Sequence, residues 1–414
     1  MTTTPLGEPT SVDEYVAPRE RVRASRISVS IAGWIGLTLL FAFVLELTCR
    51  VEDWVTYRAP LLGRYTSIND LMARDADGMH GRPNARYLKW EMNALGTRGP
   101  AASATPAAGT VRVITVGASE TFGLRESPGR EYPRQLQDSL NAHLARGACG
   151  DHAPAAFEVL NAGFAGMGLP TIEQDLRMRV QKFRPTAIVV YPTPAQYLQD
   201  DVPFAARPDS SAQNAEPSLF HALRPRTIER VRDQLKQVLP EWLKTRLREY
   251  QTRESLRNTP ANWRFTSIPA DRLAAYERDL RIVIGRIHEI GAVPVLATHG
   301  NRFMGRESLD HDAIIAWEKF YPRATGQTII DFDAAARVTT LRVGLDSGVT
   351  TIDAAKVLEA APTAAFGDFV HFTDLGASYM AEAVGAGVIA AVRTAGACGA
   401  AGSISSTDAA PVRR

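Results

Sequence analysis

The sequence predicts an α/β protein, a three-layer α/β/α sandwich around a mainly parallel sheet, preceded by one N-terminal transmembrane helix. Three observations carry this. From Val111 onward, short β-branched apolar runs alternate with helical segments, the pattern of a parallel sheet covered on both faces. Upstream, Ile27 to Leu47 is an apolar run long enough to cross a bilayer as a helix, which takes about 20 residues. The first strand of the alternating region stops at Gly117-Ala118-Ser119, and near the other end Asp368 stands three residues before His371.

The N-terminal run is apolar apart from small hydroxyls and Glu46 near its end. Arg19, Arg21, Arg23 and Arg26 precede it, so the positive-inside rule places the N-terminus in the cytoplasm and the remainder outside. A cleaved signal peptide is the alternative. Its core would be shorter and followed by a small-x-small site, which Glu46-Leu47-Thr48-Cys49 does not provide. An uncleaved signal anchor fits better, with the catalytic region in the periplasm or exoplasmic space. The expected organisation is a cytoplasmic tail at 1–26, the span at 27–47, a juxtamembrane segment and linker at 48–110, a catalytic domain at 111–397 and a disordered tail at 398–414.

Each element follows in order. Strand 111–116 precedes a helix at 132–146, and strand 157–161 precedes a glycine-rich loop (Gly163 to Gly168) and a helix at 170–182. Strand 187–191 leads into the turn Pro192 to Pro194. An insertion at 201–268 carries Ile228, Val231, Leu235, Val238, Leu239, Trp242, Leu243, Leu247 and Tyr250 at helical spacing, with more bases than acids on the other face. It reads as a solvated helical insertion, or else as a lid or a surface for anionic lipid or polysaccharide. Helix 270–290, strand 293–298, helix 309–325, a strand or turn near 328–332, a helix at 336–348 and a strand at 349–352 follow. The Asp368–His371 loop opens the last helix, 374–393.

The 414 residues carry a net charge of +2 with acids and bases interspersed, so no nucleic-acid footprint is visible. There is no CxxC, HExxH or histidine-rich tract, and no metal or cofactor is expected. The chemistry is carried by side chains. Ser119, between a strand and a helix, has the position of an exposed nucleophile. His371 supplies a base, and Asp368 can fix its tautomer through the other ring nitrogen. Each residue also has a plain reading: Ser119 and Asp368 as helix caps, His371 as a surface histidine.

At these residues the sequence resembles the SGNH/GDSL hydrolases. Gly117-Ala118-Ser119-Glu120-Thr121-Phe122-Gly123 resembles their first block, Asn161-Ala162-Gly163-Phe164-Ala165-Gly166 the second, and Asp368-Phe369-Val370-His371 the fourth. Asn93-Ala94-Leu95-Gly96-Thr97-Arg98-Gly99-Pro100 resembles the approach segment of membrane-anchored bacterial members. The resemblance implies a flavodoxin-like sheet, no cofactor, and ester hydrolysis or acyl transfer through an acyl-serine. It also implies an oxyanion hole from the Ser119 and Gly163 backbones. Two departures stand out. Ala118 replaces the usual Asp, and the third block, Tyr191 to Gln196, lacks the asparagine that supplies a side-chain oxyanion donor. Gln196 or Asn301 is the candidate replacement, and His299 and Asn301 are candidate substrate contacts at the same mouth.

The first reading is therefore a membrane-anchored serine esterase acting on acyl esters, such as O-acetyl, of cell-envelope glycans or lipids. The alternatives are an O-acyltransferase working with envelope-polysaccharide machinery, and a catalytically weak glycan-binding scaffold. An oxidising compartment also favours pairing of Cys149 with Cys398. In a sheet ordered 2-1-3-4-5 the first and last helices lie side by side, and both cysteines follow those helices.

Overall fold

The computed structural model describes residues 19–75, 77–150, 153–199, 223–260, 262–306 and 310–398. The first 18 residues, most of the tail beginning at 398 and the first part of the 201–268 insertion lie outside the described residues.

Helix α1 runs Arg19–Tyr57, well past the apolar run, because Arg50, Glu52 and Asp53 continue the helix rather than break it. Its stretch Ile31–Tyr57 and the last helix of the chain are the two described helices long and apolar enough to cross a membrane. The last helix is largely packed into the core, whereas the apolar part of α1 lies open, with Trp34, Phe41 and Phe43 exposed.

The juxtamembrane segment is more ordered than the sequence suggests. It forms two antiparallel ribbons, β1 (Met72–Asp75) with β2 (Gly78–Gly81) and β3 (Arg86–Tyr87) with β4 (Trp90–Glu91). These strands have two to four residues, too short to leave a periodic signal. The stretch expected as a loose linker, 101–109, is tied to the sheet. The carbonyls of Ser103 and Ala104 accept from the buried Arg112 guanidinium, which also pairs with Glu158 at 2.8 Å.

The central sheet contains β5 (Thr110–Gly117), β6 (Ala156–Asn161), β7 (Ala187–Tyr191), β8 (Val293–Ala297) and β9 (Thr350–Ile352). The order is β6-β5-β7-β8-β9, parallel throughout, which is the expected 2-1-3-4-5 arrangement. Alternate residues feed two cores. Val111, Val113 and Val189 point to the layer of α3 (Tyr132–Ala145) and the last helix, while Ile114, Val116 and Val190 point to the opposite layer. The opposite layer holds α4 (Leu169–Met178) and, beyond the insertion, α7 (Ala270–Ile290) and α9 (Gly326–Asp346). The insertion forms α5 (Arg226–Val238) and α6 (Glu241–Leu256), and α8 (His311–Phe320) packs on α6.

One element differs in kind. Residues 328–332, expected as a strand or turn, lie inside α9. Thr325 caps that helix by accepting from the Thr328 N–H at 3.2 Å, and Ile329 and Phe332 are buried on its inner face. A short apolar run does not separate strand from helix. A further helix, α10 (Ala354–Ala360), follows β9, and α11 (Asp374–Thr394) closes the fold beside α3. A disulfide joins Cys149 to Cys398 across a Cα–Cα distance of 4.9 Å at the ends of those two helices. Cys49 is free.

Candidate active site

β5 ends at Gly117 and the chain turns into α2 (Ser119–Phe122), a single helical turn. Two glycines allow this sharp turn. A Cβ on Gly117 would collide with Thr121 Oγ1 and Tyr191 O, and one on Gly163 would lie 2.7 Å from Thr121 Cγ2. Thr121 thus fills the notch between the first and second strand ends. The C-terminal carbonyls of α2 are held from below by the buried Arg98 guanidinium, which donates to Phe122 O and Gly123 O. Arg98 also pairs with buried Glu131 at 3.5 Å, and its backbone N–H bonds Asn161 O at 2.9 Å. The approach segment therefore braces the Ser119 turn.

His371 reaches the same point from the loop before α11. Its Nε2 lies 2.8 Å from Ser119 Oγ, and its Nδ1 lies 2.9 Å from both carboxylate oxygens of Asp368. Asp368 also accepts from the backbone N–H groups of Val370 and His371, which shapes the loop so that ring and carboxylate face each other. Arg125 pairs with the outer carboxylate oxygen at 3.2 Å. Burial works against the Asp368 charge, but His371 and Arg125 outweigh it and hold this carboxylate down at about 2. Burial likewise works against a charged His371, yet Asp368 and then Glu120 raise its pKa above the usual 6.5. A neutral His371 with its proton on Nδ1, donated to Asp368, leaves Nε2 free to accept the Ser119 proton.

The serine turn at the end of β5 and the Asp368–His371 loop before α11 thus meet over a 2-1-3-4-5 parallel sheet. The chain has a three-layer α/β/α fold around a five-stranded parallel sheet of flavodoxin-like order. No protein-family model matches the chain, and no curated protein matches it in sequence. Among solved structures it is similar to an acetylxylan esterase from Geobacillus stearothermophilus, at 14% identity and a TM-score of 0.37, over 67% of this chain and 94% of that one. It is also similar to a putative lipolytic protein of the G-D-S-L family from Desulfitobacterium hafniense DCB-2. There the identity is 11% and the TM-score 0.35, over 67% of this chain and 99% of that one. Likeness at this level concerns the chain path alone.

Within this fold, Ser119, Asp368 and His371 line a cavity of about 700 Å³ with Glu120, Thr193 and Gln196. Trp90, Phe320, Tyr321 and Phe369 form much of its apolar wall, and Arg125, Arg248 and Lys319 add positive charge. The remaining candidates are placed differently from one another. Gly163 does not line the cavity; its N–H bonds Asn161 Oδ1 at 3.1 Å. Gln196 does line it, with one amide hydrogen committed to Met167 O at 3.1 Å and the other uncommitted by that bond.

His299 and Asn301 correct the expectation of substrate contacts at the mouth. Both are buried beneath the cavity, because the chain leaving β8 turns inward toward α9. His299 Nδ1 lies 2.8 Å from Asp333 Oδ1, and Asn301 Nδ2 lies 2.6 Å from Asp333 Oδ2. The other ring nitrogen of His299 lies 3.2 Å from Glu120 Oε1. Asn301 is thus committed below the site and does not replace the third-block asparagine.

Sequence reasoning passed over Glu120. Its buried carboxylate lies 3.1 Å from Ser119 Oγ and accepts from Thr193 Oγ1 at 3.3 Å. A charged residue directly after a candidate nucleophile, at a strand–helix turn with apolar neighbours, was the available signal.

Proposed function

We propose that this protein is a serine esterase that cleaves acyl esters through an acyl-serine at Ser119. The observation that carries this reading is the chain of contacts from Asp368 through His371 to Ser119 Oγ on the wall of an open cavity. His371 takes the Ser119 proton as Oγ attacks the ester carbonyl, and Asp368 holds the imidazole and stabilises the imidazolium. His371 then gives that proton to the leaving alcohol. In the second half it activates water, which releases the acid and restores Ser119. The first N–H of α2, at Ser119, has no intrahelical acceptor and is a natural oxyanion donor, and the second amide hydrogen of Gln196 is the side-chain candidate.

The substrates we favour are acylated glycans or lipids of the cell envelope, met on the exoplasmic side of a membrane that α1 spans. The similar acetylxylan esterase makes an O-acetyl glycan a sensible first substrate to try. Purified full-length protein should be labelled by a fluorophosphonate and should hydrolyse a chromogenic acetyl ester, and Ser119→Ala should lose both. Turnover that persists in Ser119→Ala would sink the mechanism. Turnover that requires an added sugar acceptor would assign an O-acyltransferase instead. For topology, a reporter active only outside the cytoplasm should work when fused after Arg414, and a cytoplasm-only reporter should stay silent.

A further inference from the structure

The insertion helix α5 carries an apolar stripe that no described part of the protein covers. Ile228, Val231, Leu235 and Val238 recur at a helical spacing that puts them on one face, and they are between 59% and 78% exposed. A stripe this open in water is normally covered by something.

The place where α5 begins indicates what covers it. Glu46, at the end of the apolar run of α1, accepts from the backbone N–H groups of Arg226 and Thr227 at 3.0 Å each and from Thr227 Oγ1 at 2.9 Å. It therefore caps the first turn of α5. Buried Asp53, two turns further along α1, pairs with Arg230 at 2.6 Å. Arg50 ties in the neighbouring turn by donating to Leu61 O at 2.7 Å and Arg224 O at 3.1 Å. These polar contacts use the side of α5 that carries Arg226 and Arg230, which leaves the apolar stripe facing away. Trp54 on α1 and Leu62 in the tied turn are also exposed at this level. The start of α5 is thus held where the apolar run of α1 stops, which is where the headgroup region of a spanned bilayer lies.

We infer that α5 is a membrane-docking helix whose stripe beds into the headgroup–acyl boundary beside α1. A moderate apolar face backed by a charged one is the composition of an interfacial helix. Two attachments, α1 and α5, then fix how the catalytic domain faces the bilayer, where α1 alone would let it rotate. The inference rests on the reading of α1 as a membrane span.

The test uses full-length protein with Cys49→Ser in nanodiscs of phosphatidylethanolamine and phosphatidylglycerol. Single cysteines replace Ile228, Val231, Leu235, Val238 and, on the opposite face, Asp233. Each carries a nitroxide, and collision rates with oxygen and with a water-soluble nickel chelate are measured. Docking predicts an oxygen-to-nickel ratio several-fold higher at the four stripe positions than at Asp233. High nickel access on the stripe overturns it, as does low access to both quenchers, which would mean that a second protein copy covers the face. A label at Leu37 separates the two readings. A lipid signal at Leu37 with an aqueous stripe overturns docking alone, and an aqueous signal at Leu37 overturns the anchor and docking together. Since labels on a docked face can perturb it, Leu235→Asp with the label at Val238 provides a second measurement. It should lose the oxygen preference while fluorophosphonate labelling of Ser119 persists, and a preference that is retained counts against docking.

Discussion

Glu120 and His299 stand 179 residues apart in the chain, yet their side chains meet at 3.2 Å with almost no solvent exposure. Burial alone would lower the His299 pKa, but Asp333 and Glu120 more than offset it and hold the ring at about 10. At neutral pH His299 is therefore a cation that donates to both carboxylates. Burial opposes the charge on Glu120 in turn, and His299 outweighs it and lowers the Glu120 pKa. A buried acid–base–acid row thus lies beneath Ser119, with a Glu120 oxygen 3.1 Å from the nucleophile.

Glu120→Gln removes one charge from this row. Breaking one side of a buried ion pair typically costs about 3–5 kcal/mol, and a loss near the lower end is expected because Asp333 remains. Urea midpoints measure it. The pH dependence has a definite sign. His299 is raised above 6.5, so its contribution is complete below pH 6.5 and disappears as pH rises through about 10. Wild-type stability should fall over that window, and Glu120→Gln should flatten the fall. Equal pH profiles for the two proteins would contradict a charged His299.

The ester-hydrolysis rate should depend on a neutral His371. Because the pKa of His371 is raised, the acid limb of the kcat/KM profile should have its midpoint above pH 6.5. Asp368→Asn removes the group that raises it. That limb should move down, while turnover falls by about 10²–10⁴ through loss of general base function. A lower rate with an unmoved limb would mean that Asp368 is not coupled to the base.

Gln196 and Asn301 should separate cleanly. If the free amide hydrogen of Gln196 meets the oxyanion, Gln196→Ala lowers kcat by about 10²–10³ with KM little changed. Asn301→Ala should leave kcat near wild type and lower the melting temperature instead, since its amide serves Asp333. Unchanged kcat in Gln196→Ala would assign the oxyanion to backbone donors.

Arg98→Met should loosen the Ser119 turn from below. It strands the buried Glu131 carboxylate and frees the carbonyls of Phe122 and Gly123 where α2 ends, for an expected loss of about 3 kcal/mol. Fluorophosphonate labelling of Ser119 should slow at temperatures where the fold is intact. Unchanged labelling would limit Arg98 to stability.

The Cys149–Cys398 bridge joins positions 249 apart in the chain. On the chain-entropy account, Cys398→Ser should cost about 5 kcal/mol. A non-reduced digest of protein whose thiols were blocked at cell lysis should contain the linked peptide, and separately alkylated Cys149 and Cys398 peptides would rule it out.

The parallel sheet and its helices were legible because each buried strand is a local apolar run and each helix a local periodic one. Ser119 and the Asp368–His371 pair were legible because their spacing within a turn is itself local. The apolar run at 328–332 misled because only packing on α9 turns it into helix. The short ribbons at 72–91 left no period to read. The roles of Glu120, His299, Asn301 and Arg98 depended wholly on the tertiary structure. Whether a polar side chain at a strand end faces the cavity or the interior is set by which distant groups meet it. His299 turns inward because Asp333 and Glu120 are there to hold its charge, and neither is its neighbour in the chain.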